Sequence, residues 1–100
     1  MQFYSTGGVS PKVDLRTAVL NSLPSDRGLY MPETIGQLDA SIIRDIEKFS
    51  FADLSYEVAK VLLQGTLSDA DLSDIIQDAI NFKAPVVRLD DQLHLSLIHI

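Results

Sequence analysis

Two copies of one helix-start signal constrain the fold of this chain more than any other feature. Ser50-Phe51-Ala52-Asp53 and Ser68-Asp69-Ala70-Asp71 each place a hydroxyl before an apolar run, with an acid three residues on. After the first, Phe51, Leu54, Val58, Val61 and Leu62 recur at helical intervals until Gly65 supplies a stop. After the second, Leu72, Ile75, Ile76, Ala79 and Ile80 occupy i, i+3, i+4, i+7 and i+8. Two consecutive amphipathic helices are therefore expected, and the rest of the chain has to be arranged around them.

Shorter signals flank this pair. Gln2 to Ser5 reads as a strand closed by Gly7-Gly8, where backbone of positive φ can turn. Asp14 is placed to cap a helix whose Leu15, Ala18, Val19 and Ser22 form a core-facing stripe, stopped by Pro24. Ser25 to Pro32 has turn chemistry first and bulky apolar residues second. Asp39 caps a further helix with Ile42, Ile43 and Ile46 on one face. Pro85 opens a terminal hairpin of Val86 to Leu89, a turn at Asp90-Asp91, and alternating Leu93, Leu95 and Leu97. The expected class is α+β: a mainly helical domain with a short N-terminal strand and a C-terminal hairpin.

Composition removes several functions. The chain has 100 residues, 14 acids against 8 bases and a net charge of −6, the wrong sign for tracking phosphates, so no nucleic-acid partner is expected. No cysteine is present, which excludes disulfides and thiolate metal sites. Both histidines, His94 and His99, fall at the end of the chain, leaving no triad to propose. No apolar run reaches the roughly 20 residues that span a bilayer, and no signal peptide is read at the start, so no membrane partner and a cytoplasmic location are expected.

The remaining constellations have ordinary explanations. Asp69-x-Asp71-x-Ser73 opens like a calcium loop, but that loop's glycine and bidentate glutamate positions fall on Asp74 and Ile80. Asp69 and Asp71 instead complement a helix dipole, while Asp74 and Asp78 face water. Gly7-Gly8 lacks the further glycines of a phosphate cradle and reads as a turn. Lys48 and Lys60 sit among polar helix positions, Lys12 follows a proline, and Lys83 suits the end of a helix, so none reads as a desolvated Schiff-base lysine. On its residues alone the chain is an α+β domain without a self-contained active site.

A resemblance adds to this. Tyr4-Ser5-Thr6, then Val13 through Leu23, then Asp26-Arg27-Gly28-Leu29-Tyr30-Met31-Pro32 resemble the opening of the threonine synthase family, whose signature here is Asp-Gly-Gly-Leu-Tyr/Phe followed by Met/Ile/Phe-Pro. Leu54 to Leu62 resembles the family's second long helix, and Asn81-Phe82-x-x-Pro85-Val86-Val87 the segment leading into its catalytic domain. The likeness spans residues 2 to 94, with one departure: Arg27 stands where the family more often has glycine, and it is strained if that position needs positive φ.

The resemblance implies a parent enzyme of PLP fold type II that converts O-phospho-L-homoserine and water to L-threonine and phosphate. The family's cofactor lysine lies in a motif downstream of this region, so this fragment is expected to bind no PLP and to be inactive by itself. Its implied partners are the PLP-binding catalytic domain and, for the parent, the small-molecule substrate. Gly28, Leu29, Tyr30, Met31 and Pro32 are the candidate contact with that domain, the alternative being that they fill the chain's own core. Residues 1–94 then form the N-terminal domain and 95–100 a non-native or truncated tail. Leu95-Ser96-Leu97-Ile98-His99-Ile100 stands where the family begins a Leu-Glu-Leu-Phe-His-Gly motif, and it also matches the translation of a transposon-derived sequencing adapter. The rival functions are a threonine-synthase-like phospholyase and a free-standing acidic helical module that binds through Leu29 to Pro32 or through the Leu93 to Leu97 edge.

Overall fold

The doubled start signal produces the helices it announces. In the computed structural model, which describes residues 1–96, α3 spans Phe51–Leu62 and α4 spans Asp69–Ala79; the tail readings at Leu97, Ile98, His99 and Ile100 lie outside the described residues. Ser50 accepts the Asp53 N–H and the Asp53 carboxylate accepts the Ser50 N–H, a reciprocal cap that satisfies two otherwise orphaned donors. Ser68 accepts the Asp71 N–H at the start of α4. The two helices pack on each other, with Leu72 buried from α4 and Leu54, Val61 and Leu62 half-buried from α3. Beyond them Phe82 meets Phe51 edge to face, ring centroids 5.7 Å apart.

The N-terminal half is built on β1 (Phe3–Ser5). α1 (Leu15–Asn21) starts where Asp14 accepts the Thr17 N–H. It stops before Pro24, at Ser22, whose φ of 63° and ψ of −55° form a γ-turn in which the Leu23 N–H reaches the Asn21 carbonyl at 2.7 Å. Tyr30–Pro32 forms β2, antiparallel to β1, with Phe3 opposite Pro32, Tyr4 opposite Met31 and Ser5 opposite Tyr30. Phe3 exchanges both backbone bonds with Val13 on its other side. Pro32, facing Phe3 across a non-hydrogen-bonded pair, therefore needs no N–H there.

The helix expected from Asp39 is shorter than its isoleucine spacing suggests. α2 covers Ala40–Arg44, capped by Asp39 on the Ser41 N–H, and a single 3-10 turn follows at Ile46–Lys48. Ile42 is buried, whereas Ile43 and Ile46 are exposed. Val19 of the expected α1 stripe is exposed as well, as is Ile75 of α4. The hairpin forms as β3 (Val86–Arg88) and β4 (His94–Ser96), every residue of both being exposed.

Among the described residues the buried apolar side chains are Phe3, Ala18, Ile42 and Leu72, one from each of four elements, together with Pro24 in the loop after α1. The accessible surface is 7701 Å², against roughly 5,600 Å² for a compact monomer of this mass. The Cα radius of gyration is 16.3 Å, where a compact chain of this length has about 13 Å. These elements are correctly formed but under-covered.

Arg27 has a φ of 66°, a left-handed conformation in which a Cβ crowds the following carbonyl. Replacing Arg27 with glycine is expected to stabilise the chain by about 1 kcal/mol, the relieved strain exceeding glycine's extra unfolded-state entropy. Thermal denaturation of Arg27→Gly against the wild type checks this, and an unchanged or lower Tm would show that the turn carries no strain.

Candidate functional site

The resemblance placed the candidate contact at Gly28 to Pro32, and what shapes this segment is the carboxylate just before it. Asp26 Oδ1 accepts the Ser5 hydroxyl at 2.5 Å and the Gly28 N–H at 3.1 Å. Its Oδ2 accepts the N–H groups of Val9 at 3.0 Å and Ser10 at 2.9 Å. The Asp26 N–H in turn donates to Ser10 Oγ, and the Gly7 N–H donates to Ser5 Oγ. One side chain thus joins the end of β1, the Gly7-Gly8 turn and the start of the Gly28 segment. The Ser5 hydroxyl, with the backbone donors behind it, holds the Asp26 carboxyl well below its ordinary value.

Two glycines are required by this closeness. A Cβ on Gly28 would run into Ser5 Oγ and the Gly7 nitrogen, and a Cβ on Gly7 would meet the Asp26 carboxylate. Gly28 is buried as a result. From there the chain alternates as a strand must. Tyr30 and Pro32 point to the same side as buried Phe3 and Ser5 and are half-buried, while Leu29 and Met31 point to the other side. Tyr4, opposite Met31, lies on that outer side too. Tyr4, Leu29 and Met31 form one exposed apolar face, at 40%, 58% and 38% exposure. The segment therefore divides by alternation: Gly28, Tyr30 and Pro32 serve this chain's own packing, and Leu29 and Met31 remain exposed. The Leu29 backbone is pinned to β1, its N–H on Thr6 Oγ1 at 2.8 Å and its carbonyl accepting the Thr6 N–H at 2.9 Å.

Sequence reasoning passed over Ser5 and Asp26 as partners; the available signal was an Asp-x-Gly turn and a Ser at the end of a strand, both too common to single out. Elsewhere the sequence-flagged residues are dispersed. Lys12 pairs with Glu33, Lys48 with Asp45, Lys60 lies over the Tyr56 ring, and all four lysines, Lys83 included, are exposed. Asp69 and Asp71 occupy the first turn of α4, where they complement its dipole, and Gly8 turns with φ 78°. Among the described residues no helix is long and apolar enough to cross a membrane.

Comparison with known proteins places this geometry in a family. The family described as threonine synthase N terminus matches residues 2–80. Threonine synthase of Saccharomyces cerevisiae is 37% identical over 78 residues, covering 75% of this chain and 15% of its own length. Threonine synthase of Haemophilus influenzae is 28% identical over 100 residues, 99% of this chain and 23% of that protein. Threonine synthase-like 2 of Homo sapiens is 32% identical over 82 residues, 81% of this chain and 17% of that protein. The crystal structure of threonine synthase from Escherichia coli shares the fold, with a TM-score of 0.78 over 94% of this chain and 22% of that one, at 20% identity. The chain spans less than a quarter of the length of each of these relatives.

The Asp26 node generates a pH prediction. A carboxyl whose folded value lies below its ordinary 3.8 contributes its full stability above about pH 5 and loses it as pH falls through 3.8 and beyond. Asp26→Asn, which turns an amide NH₂ toward backbone donors, is expected to lower Tm at pH 7 by roughly 5–10 °C. The variant should also show a shallower fall in Tm between pH 5 and pH 2 than the wild type, measured by circular dichroism. Parallel acid slopes would show that another carboxylate carries the acid sensitivity.

Proposed function

The chain belongs to the threonine synthase family and corresponds to its N-terminal domain, and we propose that it serves as that domain of a PLP-dependent enzyme converting O-phospho-L-homoserine and water to L-threonine and phosphate. One observation carries the reading: in the Gly28-Leu29-Tyr30-Met31-Pro32 run, the most specific part of the family likeness, the Asp26 node and the pairing with β1 turn Leu29 and Met31 outward while Gly28, Tyr30 and Pro32 pack inward. PLP would supply an electron sink where a desolvated lysine holds it, and the lysines of this chain do not fit that role, since each is exposed and three are engaged on the surface. The catalytic groups are assigned to a PLP-binding domain of the same enzyme, and this domain's part is to pack on it through Tyr4, Leu29 and Met31. The roughly 2,000 Å² by which its surface exceeds that of a compact monomer is of the size buried by a permanent interface. A cytoplasmic setting accords with the cysteine-free, acidic composition.

A second reading keeps the domain and changes the substrate. The 32% identity to threonine synthase-like 2 is close to the 37% to the yeast enzyme, so a phospholyase acting on another phosphorylated amino-alcohol compound is supported by the same residues.

Expression of the gene through its own stop codon tests both. The expected outcome is a product that continues past residue 100 into a PLP-binding domain and releases phosphate from O-phospho-L-homoserine, while the 100-residue chain releases none. Phosphate release from other phosphorylated amino alcohols only would favour the second reading. In that longer product, Leu29→Asp combined with Met31→Asp is expected to cut activity at least tenfold while leaving the Tm of the 100-residue chain within about 2 °C. Full activity in the double variant would remove the assigned contact.

A further inference from the structure

β3 and β4 make a two-faced ribbon. Val87 pairs with Leu95, and Leu89 lies opposite Leu93, whose carbonyl accepts the Leu89 and Asp90 N–H groups at 2.8 and 3.2 Å. Residues opposite each other, and residues two apart, share a face. Val87, Leu89, Leu93 and Leu95 therefore form one wholly apolar side, while Arg88, His94 and Ser96 with Val86 form the other. All four residues of the apolar side are exposed, at between 41% and 57%. The two strands pack chiefly on each other, and that face remains about half open to solvent. A two-stranded ribbon with one open apolar face is marginal in water, and it needs a second layer to be stable.

Three observations identify what supplies that layer. The N-terminal family match ends at residue 80, before the ribbon begins. The Haemophilus influenzae relative aligns over 100 residues and the Escherichia coli structure over 94% of the chain, so the likeness continues into the ribbon, and in both the aligned part is under a quarter of a longer protein. A second copy of this chain is a poor cover, because four half-exposed side chains offer roughly 350 Å², well short of the about 800 Å² per partner of a stable dimer. We propose that the ribbon belongs structurally to the catalytic domain: its Val87, Leu89, Leu93 and Leu95 face is one wall of a core completed by polypeptide beyond Ile100. This rests on the reading of the chain as the N-terminal domain of a longer enzyme. The self-supporting N-terminal unit then closes at Phe82, where its ring meets Phe51, and the boundary lies between Phe82 and Val86, ahead of the residue 94 that the sequence suggests.

Backbone amide exchange, followed by NMR on the 100-residue chain and on the product of the gene read to its stop codon, tests this. In the 100-residue chain the Leu89 amide is expected to exchange near its unfolded rate at every protein concentration, while the Leu63 and Ile80 amides that close α3 and α4 exchange at least 100-fold more slowly. In the longer product the Leu89 amide should slow by at least 100-fold. Protection of Leu89 in dilute 100-residue chain would overturn the proposal, as would protection that rises with concentration, which would assign the cover to a second copy. Leu95→Lys adds a second readout: it should leave the Tm of the 100-residue chain within about 1 °C and lower that of the longer product by more than about 5 °C; an unchanged Tm in both overturns the proposal. Phosphate release separates the two levels. An inactive longer product with a protected ribbon removes the enzymatic assignment and keeps the ribbon's, and an active one with an unprotected ribbon does the reverse.

Discussion

The Asp26 carboxylate takes four hydrogen bonds from three separate stretches of chain: Ser5 at the end of β1, Val9 and Ser10 after the glycine turn, and Gly28 ahead of β2. Bonds to an ionised acceptor are about twice as strong as neutral ones. Here they close the two loops that flank α1 onto a strand only three residues long. Without such a tie, β1 and β2 would be too short to specify their own register. With it, Phe3 and Ser5 are directed inward, and Tyr4, Leu29 and Met31 outward. The left-handed backbone of Arg27 is a consequence, since residue 27 has to reverse the chain between the acceptor at Asp26 and the donor at Gly28.

Local structure and burial are uncoupled to an unusual degree in this chain. Its helices are capped by side chains, its buried polar atoms are satisfied among the described residues, and its strands are in register. Yet few of its large apolar residues are covered. Hydrogen bonds give each element its shape but net only about 1 kcal/mol apiece, while burial of apolar surface is the dominant favourable contribution to folding. Elements built this way hold their shape while much of their apolar surface stays exposed.

The same uncoupling explains what was legible in the sequence. The caps at Asp14, Asp39, Ser50 and Ser68 were readable because each bond joins residues two or three apart. The hairpin was readable from its alternation and its Asp90-Asp91 turn, whose Asp90 carboxylate accepts the Gln92 and Leu93 N–H groups. β2 carries no strand signal in the sequence, because three residues show no periodicity and the partner strand lies more than twenty residues away. Asp26 was hidden for the same reason: its donors at Ser5, Val9 and Ser10 are 16 to 21 residues distant. The exposure of Val19, Ile43, Ile46 and Ile75 was beyond reach for a different reason. Periodicity reports that a face is apolar, and only the complete protein decides which surface covers it. For the segment Gly28 to Pro32 the family likeness supplies only an expectation of contact, whereas the division into inward Tyr30 and Pro32 and outward Leu29 and Met31 requires the pairing register.

The two open apolar faces differ in what holds them. Tyr4, Leu29 and Met31 sit on strands braced by a charged acceptor and by both backbone groups of Leu29 on Thr6, bonds that do not depend on a partner. Val87, Leu89, Leu93 and Leu95 are held by the ladder and one turn alone. A preorganised face loses little conformational entropy when it docks, whereas a ribbon ordered by its partner must offset that loss from the contacts it makes. The first face is therefore preorganised within this chain, whereas the second depends for its order on a two-stranded ladder and one turn.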